Sequence, residues 1–179
     1  MNKVKIAGAI VAGLAVMAFA GLSMIPADDG YDAGMITVCS DITKDQMKSP
    51  SSYIFNKAVI STRKANDSET ESKLSETSVE AFKDLVRNGT VSYLISEIYV
   101  DYEAKNTFGT LLKNASYCRY DVMKSSSSSS YDMNKLVIES EQFMAGNLGI
   151  ILAAKDSKIG KGGIMQKIDY LKLKLSGKI

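Results

Sequence analysis

The sequence has no histidine and no tryptophan, and it contains only two prolines and two cysteines. Without histidine, a Ser-His-Asp triad, a Cys-His pair and a histidine-ligated metal site are excluded. The formal net charge is only +2, from 22 basic and 20 acidic residues, so the strongly basic character of a nucleic-acid-binding domain is missing too. We therefore expect no cofactor, no metal site and no nucleic-acid partner.

Charged side chains are also absent from residues 6–27, which follow Lys3 and Lys5 and precede Asp28. Positive charge before an apolar span and negative charge after it favours a cytoplasmic N-terminus and export of everything that follows. The chain is thereby divided into a signal peptide or transmembrane anchor (1–27), a spacer (28–38) and a single exported domain (39–179). The exported domain is large enough to bury a core of its own.

Two interpretations of the apolar span remain open. Ala18 and Ala20 form an A-x-A pattern, which predicts cleavage near Ala20 and a secreted or periplasmic domain. Apolar residues continue to Ile25, however, and a helix over residues 6–25 is about 30 Å long, which matches the bilayer core. We favour the anchor, with a single span in the inner membrane and the domain on the outer, periplasmic side.

The two cysteines, Cys39 and Cys118, are far apart in the sequence. In an exported chain the simplest interpretation of two cysteines is one structural disulfide. Closing so long a loop stabilises a domain by about 4 kcal/mol in the chain-entropy model. The alternatives are two free thiols or half of a metal site, but no histidine is present to complete a zinc site or to activate a thiolate. We predict a disulfide between Cys39 and Cys118.

Alternating apolar and polar residues predict strands in the middle of the chain. In "VSYLISEIYVDYE", the side chains of Leu94, Ile98 and Val100 share one face. After the turn "AKNTFGT", Cys118 and Tyr120 share one face of a second strand. Two half-buried strands around a glycine-containing turn form a β-hairpin. Further strands are predicted in "SYIFNKAVIST" and "NKLVIES".

Helical segments flank these strands. "TSVEAFKDLVRNG" has a T-x-x-E capping box at Thr77 and Glu80, and Gly89 suits the position after the helix. A short helix is predicted from Ser40 to the residue before Pro50. The segment "SEQFMAGNLGIILAAK" predicts another helix, and "KGGIMQKIDYLKLKLSGKI" fits either a helix or a strand.

Two segments are predicted to be loops, namely the polar stretch "RKANDSETESKLSETS" and the flexible serine-rich residues 124–131. The expected fold class is α+β. An N-terminal apolar helix is followed by a mostly antiparallel sheet, which carries one or two packed helices.

Two arrangements are candidates for a catalytic site. Lys124 precedes a run of six serines, but a flexible homopolymeric run is the opposite of a preorganised Ser–Lys site. Asp101 and Glu103 lie on one strand face, opposite Lys113 or Arg119. Such acids could serve a small envelope hydrolase, although cross-strand ion pairs on a solvated face are the usual explanation.

Three motifs resemble small exported or membrane-anchored bacterial and phage proteins. "MKSPSSYIF" has the pattern K-x-P-x-S-x-x-F, "VDYEAKNTFG" has V-x-Y-x-A-K-N-x-F-G, and "CRY" fits C-x-F/Y. The resemblance covers residues 41–120. It implies a bacterial envelope setting and a helix followed by a hairpin, and it assigns no catalytic residue.

The turn of the hairpin is the candidate site for a partner. Asn106 and Gly109 both tolerate a positive φ, and Phe108 either folds back onto the sheet or, if exposed beside Lys105, forms a partner contact. The sequence therefore predicts a non-enzymatic, membrane-tethered envelope module that binds either another protein, through these four residues, or the membrane surface. The alternative is the small hydrolase that uses acidic residues.

Overall fold

The computed structural model describes residues 21–137 and 163–179. These residues form four α-helices, α1 (Ala27–Asp45), α2 (Asp67–Ser75), α3 (Glu80–Arg87) and α4 (Ile164–Leu175). They also form four strands, β1 (Ile54–Lys64), β2 (Val91–Lys105), β3 (Leu111–Ser125) and β4 (Met133–Val137), and a short 3₁₀ helix, Pro50–Ser52. The predicted α+β class with an antiparallel sheet is confirmed.

The strands form one antiparallel sheet in the order β1-β2-β3-β4. The central pair is the predicted hairpin, which begins where Lys105 pairs with Leu111 and continues to Val91 and Ser125. A bulge between Phe55 and Lys57 interrupts the register of β1. Because side chains alternate between faces, each long strand contributes to two separate surfaces.

One face of the sheet holds the main core. α1 packs on this face, and α4 packs against α1. The disulfide between Cys39 of α1 and Cys118 of β3 is present, with the two Cα atoms 5.9 Å apart. The buried hydroxyl of Tyr120 donates a hydrogen bond to the carbonyl oxygen of Met35 at 2.9 Å. Helix and sheet are thus joined by both a covalent and a polar contact inside an apolar interface.

The opposite face is only partly covered. Ala65, Tyr93 and Ile95 form a smaller buried cluster there, against which Met123 packs. The helix α2 buries one residue, Leu74, whereas α3 has no fully buried residue. The region beneath α3 is therefore loosely filled compared with the main core.

The interpretation of residues 28–38 as a spacer is wrong, because α1 begins at Ala27 and includes all of them. Ser40 lies inside this helix and does not begin it. Pro26 occupies the position before the first helical residue. The buried side chains recur with helical spacing, at Tyr31, Met35, Val38 and Ile42. This burial outweighs the low helix propensity of Gly30 and Gly34.

The polar segment predicted to be a solvated loop contains α2. Asn66 caps this helix, since its Oδ1 atom accepts a hydrogen bond from the Glu69 amide at 2.8 Å. Glu69 accepts one in return from the Asn66 amide at 2.8 Å, which completes a capping box. Glu69 also binds Arg63 through both carboxylate oxygens, and this contact, with the Asn66 bond, lowers the pKa of Glu69 to about 2. The helix α2 is therefore stabilised by local polar contacts and by the burial of Leu74.

The helix at Glu80–Arg87 is confirmed, but its expected capping box is not. Val79 is at the N-cap position without a side-chain hydrogen bond, and Glu80 instead contacts Lys83 at 2.6 Å. Gly89 follows the helix with φ of 77°, as expected for a left-handed residue after a helix end.

The ambiguous C-terminal segment is a helix, α4. Leu173 and Ile179 pack against the main core. The carbonyl oxygen of Lys178 accepts a hydrogen bond from the Ala58 amide of β1 at 2.7 Å. The end of the described chain thus covers part of the edge strand β1.

Residues 124–131 form a compact turn in which β3 continues to Ser125. The Ser126 amide donates a hydrogen bond to the carbonyl oxygen of Thr90 at 2.8 Å, and Tyr131 is buried. The expected helix at 140–155 lies outside the described residues. So do residues 6–20 of the apolar span, and the N-terminal apolar helix stays a prediction. Within residues 21–137 and 163–179, no helix is long and apolar enough to cross a membrane.

Candidate functional site

The turn at the end of the central hairpin is held by a network centred on Asn106. Its Oδ1 atom accepts hydrogen bonds from the backbone amides of Phe108 at 2.9 Å and Thr110 at 3.0 Å. The Asn106 amide donates to the carbonyl oxygen of Thr110 at 2.9 Å, and its own carbonyl accepts from Gly109 at 3.0 Å. Of the two residues expected to tolerate a positive φ, only Gly109 adopts one, at 81°.

Phe108 does not fold back onto the sheet, and its exposed fraction is 90%. Leu111 and Leu112, at the start of β3, are 44% and 50% exposed. We refer to residues 105–112 as the hairpin tip. A fixed turn thus displays an aromatic ring and two leucines to solvent, and loops on a rigid scaffold often carry recognition.

A groove of about 340 Å³ lies beside the hairpin tip. Lys48, Lys105 and Leu112 are among its lining residues. The Lys105 amide donates a hydrogen bond to Ser52 Oγ at 2.9 Å, and the rings of Tyr53 and Tyr102 are 5.4 Å apart. The two longer motifs of the resemblance, around Pro50 and around Asn106, therefore meet at the base of the hairpin tip.

The hairpin tip and the start of α1 lie at opposite ends of β3. Near the end of α1, the Oγ1 atom of Thr43 is 2.6 Å from the Oγ atom of Ser116 in β3. Asp28, at the start of α1, is 2.6 Å from Lys124 Nζ. A strand rises about 3.4 Å per residue, so Leu111 and Lys124 are about 45 Å apart. The start of α1 therefore lies far from the hairpin tip.

Asp101 and Glu103 line an open pocket of about 660 Å³ together with Lys57 and Lys113. Glu103 is 4.0 Å from Lys113, whose side chain is 87% exposed. The structure brings the two acids together on one face, as expected. Glu103 pairs with the solvated cross-strand Lys113, and Asp101 lies opposite Lys57 in the strand register, an arrangement that is typical of a solvated sheet face.

The sequence does not predict a third space, which lies on the partly covered face of the sheet. It has a volume of about 230 Å³ and lies between α2, α3 and the partly covered face of the sheet. Its polar lining includes Tyr93, Asp121 and Lys73, and Lys73 Nζ is 3.3 Å from Asp121 Oδ2. These three residues come from three different elements and share no sequence motif. We refer to this space as the α3 cavity.

The electrostatics of the α3 cavity differ from those of a solvated surface. Burial, followed by the neighbouring carboxylate of Asp121, raises the pKa of the Tyr93 hydroxyl. Asp121 acts on this hydroxyl both as a hydrogen-bonding neighbour and as a negative charge, and the positive charge of Arg119 opposes the shift.

The serine run forms no Ser–Lys site. Lys124 is engaged by Asp28 at 2.6 Å, and its Nζ atom also lies 5.5 Å from the centre of the Tyr131 ring. Among the residues that the structure describes, no group of three or more His, Cys, Asp or Glu side chains could hold a metal ion. Compared with models of protein families, with curated proteins and with solved structures, the chain matches none.

Proposed function

We propose that this protein is a non-enzymatic binding module of the cell envelope, exported and tethered to the membrane through residues 6–25. Its hairpin tip binds a partner protein. The observation that carries the proposal is the fixed display of Phe108, whose side chain is 90% exposed on a turn held by Asn106. The disulfide supports an oxidising compartment, since such bonds persist in exported proteins.

The fixed turn matters for affinity. A residue that is ordered before binding loses less conformational entropy in the complex, and a buried aromatic ring is a common energetic centre of an interface. Phe108 contributes no packing to either buried cluster of the domain. Its ring is therefore available to a partner at little cost to the fold.

The surroundings of Phe108 define the partner surface. Leu112 extends the apolar area on the side of the groove, which Lys48 and Lys105 also line, and Leu111 is exposed on the opposite face of β3. A matching protein offers an apolar pocket for the ring and acidic side chains around it, because opposite potentials across an interface steer and align the partners. The position of the hairpin tip, remote from the start of α1, directs this surface away from the tethering membrane.

The experiment is photo-cross-linking in the envelope of cells that make the full chain. A photoreactive phenylalanine analogue is placed at position 108 and, as the control, at Leu175, which is apolar and 84% exposed on α4. We expect one discrete adduct from position 108, none from position 175, and competition by the unlabelled parent but not by Phe108→Ala. Equal adducts from both positions, or equal competition by the two proteins, would contradict the proposal.

A further inference from the structure

A row of apolar and aromatic side chains crosses the face of the sheet opposite the main core. Val59, Tyr99 and Tyr117 are register partners on β1, β2 and β3. Val59 is 52% exposed and Tyr99 is 51% exposed. The ring centres of Tyr99 and Tyr117 are 5.0 Å apart, and the rings are tilted by 46° to each other. We refer to these three residues as the tyrosine platform, because the apolar face of another molecule can stack on it from solvent.

The tyrosine platform is held in place by the central strands. The Tyr117 hydroxyl donates a hydrogen bond to Glu97 Oε1 at 3.1 Å. The next residue along β3, Cys118, is joined to Cys39 of α1 by the disulfide on the other face of the sheet. A surface that is ordered before binding loses less conformational entropy when a ligand stacks on it.

An open pocket of about 660 Å³ adjoins the platform on the same face of the sheet. Asp101 and Ala115, which both line this pocket, are the register pair that follows Tyr99 and Tyr117 towards the hairpin tip. Side chains on one face of a strand recur about every 7 Å, so the pocket begins one step from the two rings. The exposed side chain of Ala115 is small and leaves space beside the ring of Tyr117.

The charges that line the pocket balance one another. Two carboxylates and two ammonium groups are present, those of Asp101, Glu103, Lys57 and Lys113. The pocket therefore favours neither an anion nor a cation. Carboxylates accept hydrogen bonds and ammonium groups donate them, so an uncharged ligand with several hydroxyls can bond to both. Glu103 and Lys113 are 4.0 Å apart, beyond hydrogen-bonding distance, and a ligand hydroxyl can bridge them.

An aromatic surface beside donors and acceptors of balanced charge matches the chemistry of a saccharide. A pyranose ring whose substituents are equatorial presents C–H groups on its flat faces and hydroxyls around its rim. The C–H groups are attracted to the negative face of an aromatic ring, and the hydroxyls both donate and accept hydrogen bonds. β-1,4 links keep successive pyranoses in one extended strand, so that one ring can lie on the platform while the next reaches the pocket.

We propose that the tyrosine platform and the adjoining pocket bind an uncharged oligosaccharide of β-1,4-linked pyranoses. One pyranose stacks on Tyr99 and Tyr117. The hydroxyls of the next donate to Asp101 and accept from Lys57. Aromatic side chains with a few polar groups that fix the orientation are the usual composition of a small-ligand site. The site is separate from the hairpin tip, because Tyr99 lies six residues before Lys105, about 20 Å along β2.

Isothermal titration calorimetry with the full chain tests this site. The detergent is zwitterionic, because the headgroup of a glycoside detergent would compete. The probe is cellotetraose, and the control is maltotetraose, which has the same four glucose units joined by α-1,4 links that curve the chain. Titration of each sugar into detergent alone gives the blank. We expect saturable one-to-one binding of cellotetraose and several-fold weaker binding of maltotetraose. No binding of cellotetraose, or equal binding of both sugars, would overturn the proposal.

Substitutions locate the site. We expect Tyr99→Ala to weaken cellotetraose binding roughly tenfold, whereas Tyr99→Phe keeps the ring and should bind as the parent does. Asp101→Asn should weaken binding roughly threefold, because it removes a charged acceptor. Thermal unfolding establishes that each variant is folded. If a folded Tyr99→Ala variant binds like the parent, the site is not the tyrosine platform. Should Tyr99→Ala not fold, Asp101→Asn decides the question, and unchanged binding in that variant would overturn the proposal.

The two proposals fail separately. Phe108→Ala removes an exposed aromatic ring from the hairpin tip and is the matched control for Tyr99→Ala. It should leave cellotetraose binding unchanged, and Tyr99→Ala should leave cross-linking at the hairpin tip unchanged. A loss of cellotetraose binding in Phe108→Ala would show that the sugar binds at the hairpin tip and would overturn the assignment to the platform.

Discussion

Lys124 at the end of β3 contacts Asp28 in the first turn of α1, with its Nζ atom 2.6 Å from Oδ2. Asp28 also accepts a hydrogen bond from the Tyr131 amide at 2.8 Å. One helical turn later, Oδ1 of Asp32 is buried without a hydrogen-bond partner. Burial, followed by the negative charges of Asp29 and Asp28, raises the pKa of Asp32 to about 7. Ionisation of Asp32 at neutral pH therefore opposes folding.

Replacement of Asp32 by asparagine should stabilise the domain in a pH-dependent way. Between about pH 4 and pH 7 the unfolded chain releases a proton that the folded chain keeps, so stability falls as the pH rises through this window. We expect Asp32→Asn to raise the free energy of unfolding by up to about 4 kcal/mol at pH 7.5 and to change it little at pH 4. Urea denaturation at the two pH values measures this, with the exposed Asp45→Asn as control. A gain of the same size at both pH values would show that ionisation is not the cause.

The Cys39–Cys118 bridge should be a major source of stability. Both cysteines are buried, and 79 positions separate them in the sequence. In the chain-entropy model, loss of this cross-link costs about 4 kcal/mol, because the unfolded chain regains the freedom of a long loop. Guanidinium unfolding of the oxidised parent and of the Cys39→Ala/Cys118→Ala double variant measures the difference. Reductant should weaken the parent and leave the double variant unchanged. A parent that keeps its unfolding midpoint with both thiols reduced would contradict the expectation.

The Asn106 side chain should control how Phe108 is displayed. Asn106→Ala removes the acceptor of two backbone amides, and we expect a loss of about 1 kcal/mol in the free energy of unfolding. Partner cross-linking through position 108 should weaken as well, since the ring is no longer held in one place. Thr107→Ala, in the same exposed turn, is the matched control. An unchanged cross-linking yield in a folded Asn106→Ala variant would mean that a fixed turn is not required.

Gly109 provides a test of backbone geometry alone. Its φ is 81°, and a Cβ atom added there would meet no other atom within 4 Å. The cost of Gly109→Ala is thus the left-handed conformation itself, about 1 kcal/mol. Thr107→Ala is the comparison, because Thr107 is exposed in the same turn and its φ is not positive. Thermal unfolding of the two variants measures the contrast, and equal stability of both would argue against the turn as described.

Local patterns predicted the centre of the fold well. Alternation along β2 and β3 placed Ile98, Val100, Cys118 and Tyr120 on one face, and all four are buried in the main core. The start of α1 was missed because three aspartates, Pro26 and two glycines resemble a linker, whereas α1 is stabilised by its packing between the sheet and α4. A helix whose stability comes from tertiary burial has little local signal.

The two candidate sites also differ in how well the sequence predicts them. The hairpin tip could be predicted because Asn106, Phe108 and Gly109 are close in sequence and form one turn. The direction of Phe108 depends on the geometry of the turn around Asn106 and Gly109, which the alternation of the strands does not determine. The α3 cavity could not be predicted, because Lys73, Tyr93 and Asp121 meet only when α2 lies across the sheet.

The disulfide also determines how the domain would carry mechanical force. Tension applied between Ala27 and Phe108 has a short covalent route, along α1 to Cys39, across the bridge to Cys118 and along β3 to the hairpin tip. The strand β1 and the helices α2 and α3 lie within the loop that this route bypasses. A force on a bound partner would therefore be transmitted along this covalent path through the main core. The helices α2 and α3, which line the α3 cavity, would lie outside that path.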